Sequence, residues 1–376
     1  MITFSVNNKT LSDALTMVAR VVASKNVLPI LNDVIFKVEG DRLRLTAADA
    51  ENQLTTCLAI TDTKGEGEFA INARDIMEAM KNMPDMPLTF CKEDGNNVVK
   101  IDYFSGAFSL PAERTEEFPK MMDINDEQAV CFSIPQRVLQ ENIARTVFAT
   151  ADDGLRPVMD GICFDLTEEG LNIVASDGHQ LVRNRMLNIG DSKQGTFILP
   201  KKPALILKNI LKKSEDRATV KADSRRIEVQ TATFTLSSRL IEGRYPNYNA
   251  VIPRENPNVL TIDRQSLIAA LKRISPFSND ISNLVRLHVE PGCIQLSAED
   301  HDLSKSATER MACDYIGATL NISFKGVSVI ETLSNISAAE IEIQLADAWK
   351  AALILPATQP ENQEILMLQM PMLIND

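Results

Sequence analysis

Three times along the chain, a short alternating run gives way to apolar residues at helical spacing. Residues 4–6 alternate and lead to Leu11, Leu15, Val18 and Val22, which share one face of a helix over 11–22. Residues 131–134 lead to Leu139, Ile143 and Val147 in a helix over 135–148, with Pro135 suited to its first turn. Residues 260–262 lead to Leu267, Leu271 and Ile274 in a helix over 263–274, with Asp263 as its N-cap. A hairpin follows each helix: 34–38 with 43–47, 161–166 with 171–175, and 284–289 with 293–296. Glycine in each turn can supply the positive φ that tight hairpins require. A further strand and a second helix come next, at 73–82, 201–213 and 325–336. Each stretch then closes with more alternating strands: 88–91, 98–103 and 107–110; 218–222, 226–230 and 233–237; 339–344 and 351–355.

The pattern predicts three copies of one unit, each with two helices and roughly seven or eight strands. The helices are too widely separated to be crossovers of a parallel sheet, so the fold class is α+β with antiparallel sheets. Polar, proline-bearing links near 118–128 and 252–258 set domains of 1–125, 126–253 and 254–376. One phrase marks the repeat: 171–181 (LNIVASDGHQL) reads as a strand running into an acidic turn, with weaker copies at 43–49 and 294–300. Asp49, Asp177 and Asp300 each stand alone at a strand end. That favours turn-capping carboxylates over metal ligands.

Composition narrows the chemistry. None of the six cysteines forms a close pair, and three histidines (His179, His288, His301) are thin material for acid–base or metal chemistry, so no metal site and no cofactor are expected. No phosphate loop, dinucleotide fingerprint, zinc-protease motif or nucleophile elbow occurs, which points away from an enzyme. No apolar run reaches the roughly 20 residues of a membrane span. The first residues read as a strand rather than a secretory signal, so a cytoplasmic protein is expected.

The net charge of -12 would argue against a nucleic-acid partner, but the cations are clustered. At 100° per residue, Lys201, Lys208 and Lys212 fall within about 20° of one line on a single helix, opposite Ile206, Leu207, Ile210 and Leu211. Arg74 with Lys81, Arg137 with Arg145, and Lys272 with Arg273 repeat the arrangement on other helices. A cationic face on an acidic body suits a protein that holds a polyanion on one side.

Three passages carry a family resemblance: 174–181 (VASDGHQL), 238–248 (SRLIEGRYPNY) and 370–372 (MPM), supported by 28–31 (LPIL) and 108–110 (FSL). Over essentially its whole length the chain resembles the bacterial DNA polymerase sliding clamp, the β subunit of DNA polymerase III and its processivity factor. The resemblance implies two subunits joined head to tail as a homodimeric ring, with helices around the hole, sheets outside and duplex DNA inside. Contacts to that DNA would be sequence-independent. It adds Lys25 and Lys202 to the DNA-facing cations. It also implies a groove for a short linear motif of partners: the replicative polymerase's catalytic subunit, the clamp loader and other clamp-motif proteins. Carried over by position, the groove comprises Met159, Ser176, Gly178, His179, Gln180, Leu181, Pro246, Val251, Leu368, Met370, Pro371 and Met372. Phe108 and Leu110 would face Phe277 across the subunit joint. Gln180 and Ala250 stand where the family often has arginine, and Pro157 and Val158 replace a tyrosine pair seen in some members. The tail 373–376 runs past the usual end.

Overall fold

Strand after strand is built on strict alternation. Ile2–Asn7 buries Ile2, Phe4 and Val6, and Cys293–Asp300 buries every second side chain from Ile294 to Asp300. The computed structural model describes residues 1–119, 121, 123–127, 129–187, 189 and 193–372. The expected tail at 373–376 therefore lies outside the described residues, as do Lys120, Met122 and Gln128 of the first link.

Among the described residues six α-helices punctuate the strands: α1 (Asn8–Val18), α2 (Ala73–Lys81), α3 (Gln136–Thr146), α4 (Lys201–Ile210), α5 (Arg264–Ile274) and α6 (Gly326–Ser334). None is long and apolar enough to cross a membrane. Side-chain caps set several starts. Asn7 accepts from the N–H of Lys9 at 2.9 Å, Asn72 from that of Arg74 at 3.1 Å, and Asp263 from that of Ser266 at 2.7 Å. The Asp263 cap is as expected.

Other boundaries differ from the sequence pattern. α1 begins three residues early because Asn7 caps it, and it ends at Val18, leaving Val21 rather than Val22 in the core. Pro135 closes a strand instead of opening α3. α4 stops at Ile210: the N–H of Leu211 makes a last helical bond to Leu207, but that of Lys212 donates to Gln136 Oε1 at 3.1 Å. Lys212 is therefore not on the helix with Lys201 and Lys208. The first third also holds nine strands among the described residues, because Asn52–Ala59 and Thr61–Lys64 are separate.

The chain divides into two compact units, residues 1–139 with 206–240 and residues 140–205 with 241–376. The first holds an eight-stranded antiparallel sheet, from Val130–Pro135 at one edge to Gly67–Asn72 at the other, and a five-stranded sheet that ends at Gly106–Pro111. Stacked rings tie its core: Phe4 on Phe90 at 4.8 Å, and Phe36 on Phe69 at 5.5 Å.

The second unit repeats the plan. Its eight-stranded sheet runs in the order Gly195–Pro200, Gly161–Thr167, Gly170–Ser176, Gln180–Met186, Gln363–Gln369, Ala352–Pro356, Glu340–Leu345, Asn258–Asp263. A four-stranded sheet ends at Lys305–Ala312. α5 and α6 bury Leu267, Leu271, Ile274, Val329 and Leu333 against both sheets.

Candidate functional site

The large sheet of the second unit has two apolar faces. Val182, Ile354, Ile365 and Met367 join the core, whereas Leu181, Leu353, Leu366 and Leu368 join a separate cluster on the opposite face. This follows from the two-residue period of strands. The segment 241–252 covers that second cluster, contributing Tyr245 and Tyr248 with Ile241 and Ile252 beside them. Tyr248 donates its hydroxyl to Asp165 Oδ2 at 2.7 Å. Burial, then that bond, pushes the Tyr248 phenol well above its ordinary value. Burial does the same to Tyr245 and to the Cys163 thiol, so the cluster holds these groups neutral.

At its rim lies the turn 177–180. Asp177 Oδ1 accepts the N–H groups of His179 and Gln180, both at 2.8 Å. Gly178 has φ +90°, and a Cβ there would come within 2.6 Å of Arg156 Nη1. Arg156 in turn donates to the Asp177 carbonyl at 2.7 Å and to Asp153 Oδ2 at 3.1 Å. The N–H of Met370 donates to the His179 carbonyl at 2.8 Å, and that of Met372 to the Ser323 carbonyl at 2.7 Å. Thus 176–181 and 368–372, far apart in sequence, become neighbours.

Within this arrangement Leu181 and Leu368 are 2% and 3% exposed and form an apolar floor, while Met159 and Ser176 are also buried. Val251 is 58% exposed and Met370 39%, and His179, Gly178 and Pro246 are exposed as well. Pro371 and Met372 are half-buried. Gln180 departs from the expected groove set. It alternates with Leu181 onto the other face, is buried, and donates from Nε2 to Asp177 Oδ2 at 3.1 Å. Adaptable thioethers around apolar walls suit a peptide anchor of leucine type.

Among the expected DNA-facing cations, Lys25, Arg74, Lys81, Lys202, Lys212, Lys272 and Arg273 are exposed. Lys208 is half-buried. Lys201 pairs with Asp152 at 3.3 Å, Arg137 with Glu215 at 2.8 Å, and Arg273 with Glu309 at 2.9 Å. Arg145 is a correction. It is 6% exposed, its Nε and Nη1 lack hydrogen-bond partners, and burial holds its guanidinium below the usual pKa. Eight residues at 100° leave about 80° between Arg137 and Arg145, enough to turn the second inward with buried Asn142 and Thr146.

Comparison with known proteins covers the chain end to end. Models of the DNA polymerase III beta subunit match its N-terminal domain at 2–122, its central domain at 133–247 and its C-terminal domain at 249–373. The chain belongs to the DNA polymerase III beta subunit family, the beta sliding clamps. The beta sliding clamp of Pseudomonas aeruginosa is 28% identical over 366 residues, covering 97% of this chain and 98% of the relative. That of Haemophilus influenzae is 26% identical, covering 93% and 95%. A solved P. aeruginosa sliding clamp bound to griselimycin superposes with a TM-score of 0.93 at 27% identity, covering 99% of this chain and all of that one. The Bacillus subtilis clamp, at 22% identity and a TM-score of 0.92, shares the fold and covers 99% of each chain.

The clamp's repeated aspartates are turn caps. Asp49 Oδ1 accepts the N–H groups of Glu51 and Asn52 at 2.8 and 2.6 Å, and Asp300 Oδ1 accepts those of Asp302 and Leu303 at 3.0 and 3.3 Å. Gly106–Pro111 and Lys305–Ala312 are outer strands of their sheets, each paired on one side among the described residues. Phe108 and Leu110 on the first are half-buried, and Phe277 in the second unit is exposed. Sequence reasoning missed Arg156, Tyr245 and Tyr248 as parts of the site. The tyrosines lie inside the motif at 238–248, which marked the segment but not which of its side chains turn inward; Arg156 offered no signal.

Proposed function

We propose that two copies of this clamp close head to tail into a ring around duplex DNA. The groove of the second unit holds a short linear motif of the polymerase catalytic subunit, the clamp loader and other partners. The observation that carries this reading is the match of three successive clamp domains along one chain, with the groove residues gathered at the turn 177–180. In the proposed ring the domains are 1–125, 126–253 and 254–376. The open edges at Gly106–Pro111 and Lys305–Ala312 supply backbone groups that a second copy can pair, with Phe108, Leu110 and Phe277 at the joint.

The clamp works by topology rather than catalysis, in the cytoplasm. A polymerase tied to a ring stays near the primer end at high effective concentration. The exposed lysines and arginines meet phosphates without reading bases, so the ring slides. The griselimycin-bound relative supports a ligand-accepting site in this fold. In the first unit, a concavity of about 1060 Å³ is lined by charges of both signs, including Lys37, Arg44, Glu68 and Glu228, beside the apolar Ile35, Phe118 and Ile227.

Retention on circular DNA tests the reading. Clamp placed on a nicked circle by a loader and ATP should stay through gel filtration and be lost once the circle is cut. Lys202→Glu, Lys212→Glu and Lys272→Glu together should leave the dimer intact, shorten retention and flatten the log–log salt dependence by roughly 2–3. Equal retention on cut and closed DNA would refute the ring.

A further inference from the structure

We infer that Asp165 is a positioning residue of the partner groove: through Tyr248 it fixes where Val251 stands, and so sets how tightly an apolar peptide anchor is held. This rests on the groove reading above and adds to it a residue that acts through another side chain.

Val251, an exposed wall of the groove, stands on a turn rather than on a strand. It ends the single 3-10 turn Tyr248–Ala250 inside the covering segment 241–252. That turn holds itself weakly. The N–H of Ala250 donates to the Asn247 carbonyl at 3.2 Å and that of Val251 to the Tyr248 carbonyl at 3.4 Å, at or past the long end of the usual range. Asn247 adds no side-chain cap. The segment is tied to the sheet at its entrance, where the N–H of Ile241 donates to the Ile198 carbonyl at 3.0 Å. Beyond its exit, Asn256 Nδ2 donates to the carbonyls of Gln344 and Ala351 at 2.9 and 3.0 Å. Between those ties the turn needs an anchor of its own.

Tyr248 supplies it. It is the first residue of the turn, and its ring is buried in the floor cluster with Leu181, Leu366 and Leu368. Apolar contact is non-directional, so burial alone leaves the ring free to slide over that floor. The hydroxyl removes this freedom by donating to Asp165 Oδ2 at 2.7 Å, a short bond to a carboxylate oxygen. Asp165 is itself held in place. Its Oδ1 accepts the hydroxyl of Thr196 at 2.8 Å, and its strand, Gly161–Thr167, is paired on both sides, with Gly170–Ser176 and Gly195–Pro200. The position of a twice-paired strand is thus passed through one carboxylate and one phenol to the turn, and along it to Val251. A wall fixed before the peptide arrives leaves less to be ordered on docking.

The test reads polarisation of a labelled leucine-anchored peptide on the full-length clamp, and hydrogen exchange at the Val251 amide without peptide. Tyr248→Phe keeps the ring and removes only the hydroxyl. It should weaken the peptide about 3- to 10-fold and speed exchange at Val251 by a similar factor, the scale of one hydrogen bond's net contribution. Asp165→Ala should match it, and the two changes together should cost no more than either alone. Asp165→Asn keeps an acceptor and should restore most of the affinity. In a Val251→Ala background, Tyr248→Phe should change affinity by less than about twofold. Unchanged affinity or exchange in Tyr248→Phe, or an equal loss with and without the Val251 side chain, would overturn the inference while the groove stands. Failure of the wild-type clamp to bind the peptide would overturn the groove and the inference together.

Discussion

Replacing both Val251 and Met370 with alanine should disable partner binding without harming the fold. Val251 is 58% exposed and Met370 39%, so a docked peptide can still bury that remainder. Full burial of such a side chain contributes roughly 1.5–3 kcal/mol. The exposed fractions then contribute about 0.9–1.7 and about 0.6–1.2 kcal/mol, and alanine keeps a minor part of each. The double variant should therefore lose about 10- to 100-fold in affinity. Because neither residue belongs to the core, the melting transition should move by no more than about 0.5 kcal/mol. Leu181 and Leu368 provide the contrast: both form the buried floor, and either one changed to alanine should cost about 2–5 kcal/mol of stability. The assay is polarisation of a leucine-anchored peptide, with a thermal melt of the same sample. Affinity within twofold of wild type would show that the exposed apolar rim is not where partners bind.

Three further outcomes follow from the structure. Arg145→Met should leave stability equal or raise it, because it removes a buried guanidinium with unpartnered Nε and Nη1; a loss above about 1 kcal/mol in a melt would contradict this. Asp263→Ala should cost about 0.5–2 kcal/mol by uncapping α5, measured by denaturant titration. Stability should also fall at alkaline pH. Cys163, Tyr245 and Tyr248 have folded values raised by burial, so their contribution is present below the unfolded values of about 8.5 and 10 and is lost as pH rises past them. Melts at successive pH values should be level near pH 7 and decline above about 9, and a flat profile to pH 10.5 would refute it.

The strands were legible because their signal is local. Residues 98–103 and 226–230 alternate cleanly, and the observed strands have those bounds. Asp263 was legible for the same reason, since a cap reads only the next three residues. Helix ends were not, because they are settled by distant partners: Gln136 takes the N–H of Lys212 and ends the stripe that periodicity drew through α4. Arg145 shows the limit of charge as a guide to exposure, since a helical wheel does not say how wide a stripe the core will cover. At the groove, the motifs at 174–181 and 370–372 were visible, but their union depends on the pairing of Gln180–Met186 with Gln363–Gln369. Carry-over from the resemblance set Gln180 beside Leu181 in the groove, whereas the alternation of the strand sends it, buried, to the face away from Leu181.

The most direct test of the account is the particle itself. Mass in solution combined with electron micrographs should show twice the 41.6 kDa chain and a closed ring with a central hole wide enough for duplex DNA. A particle of single-chain mass with no opening would contradict it.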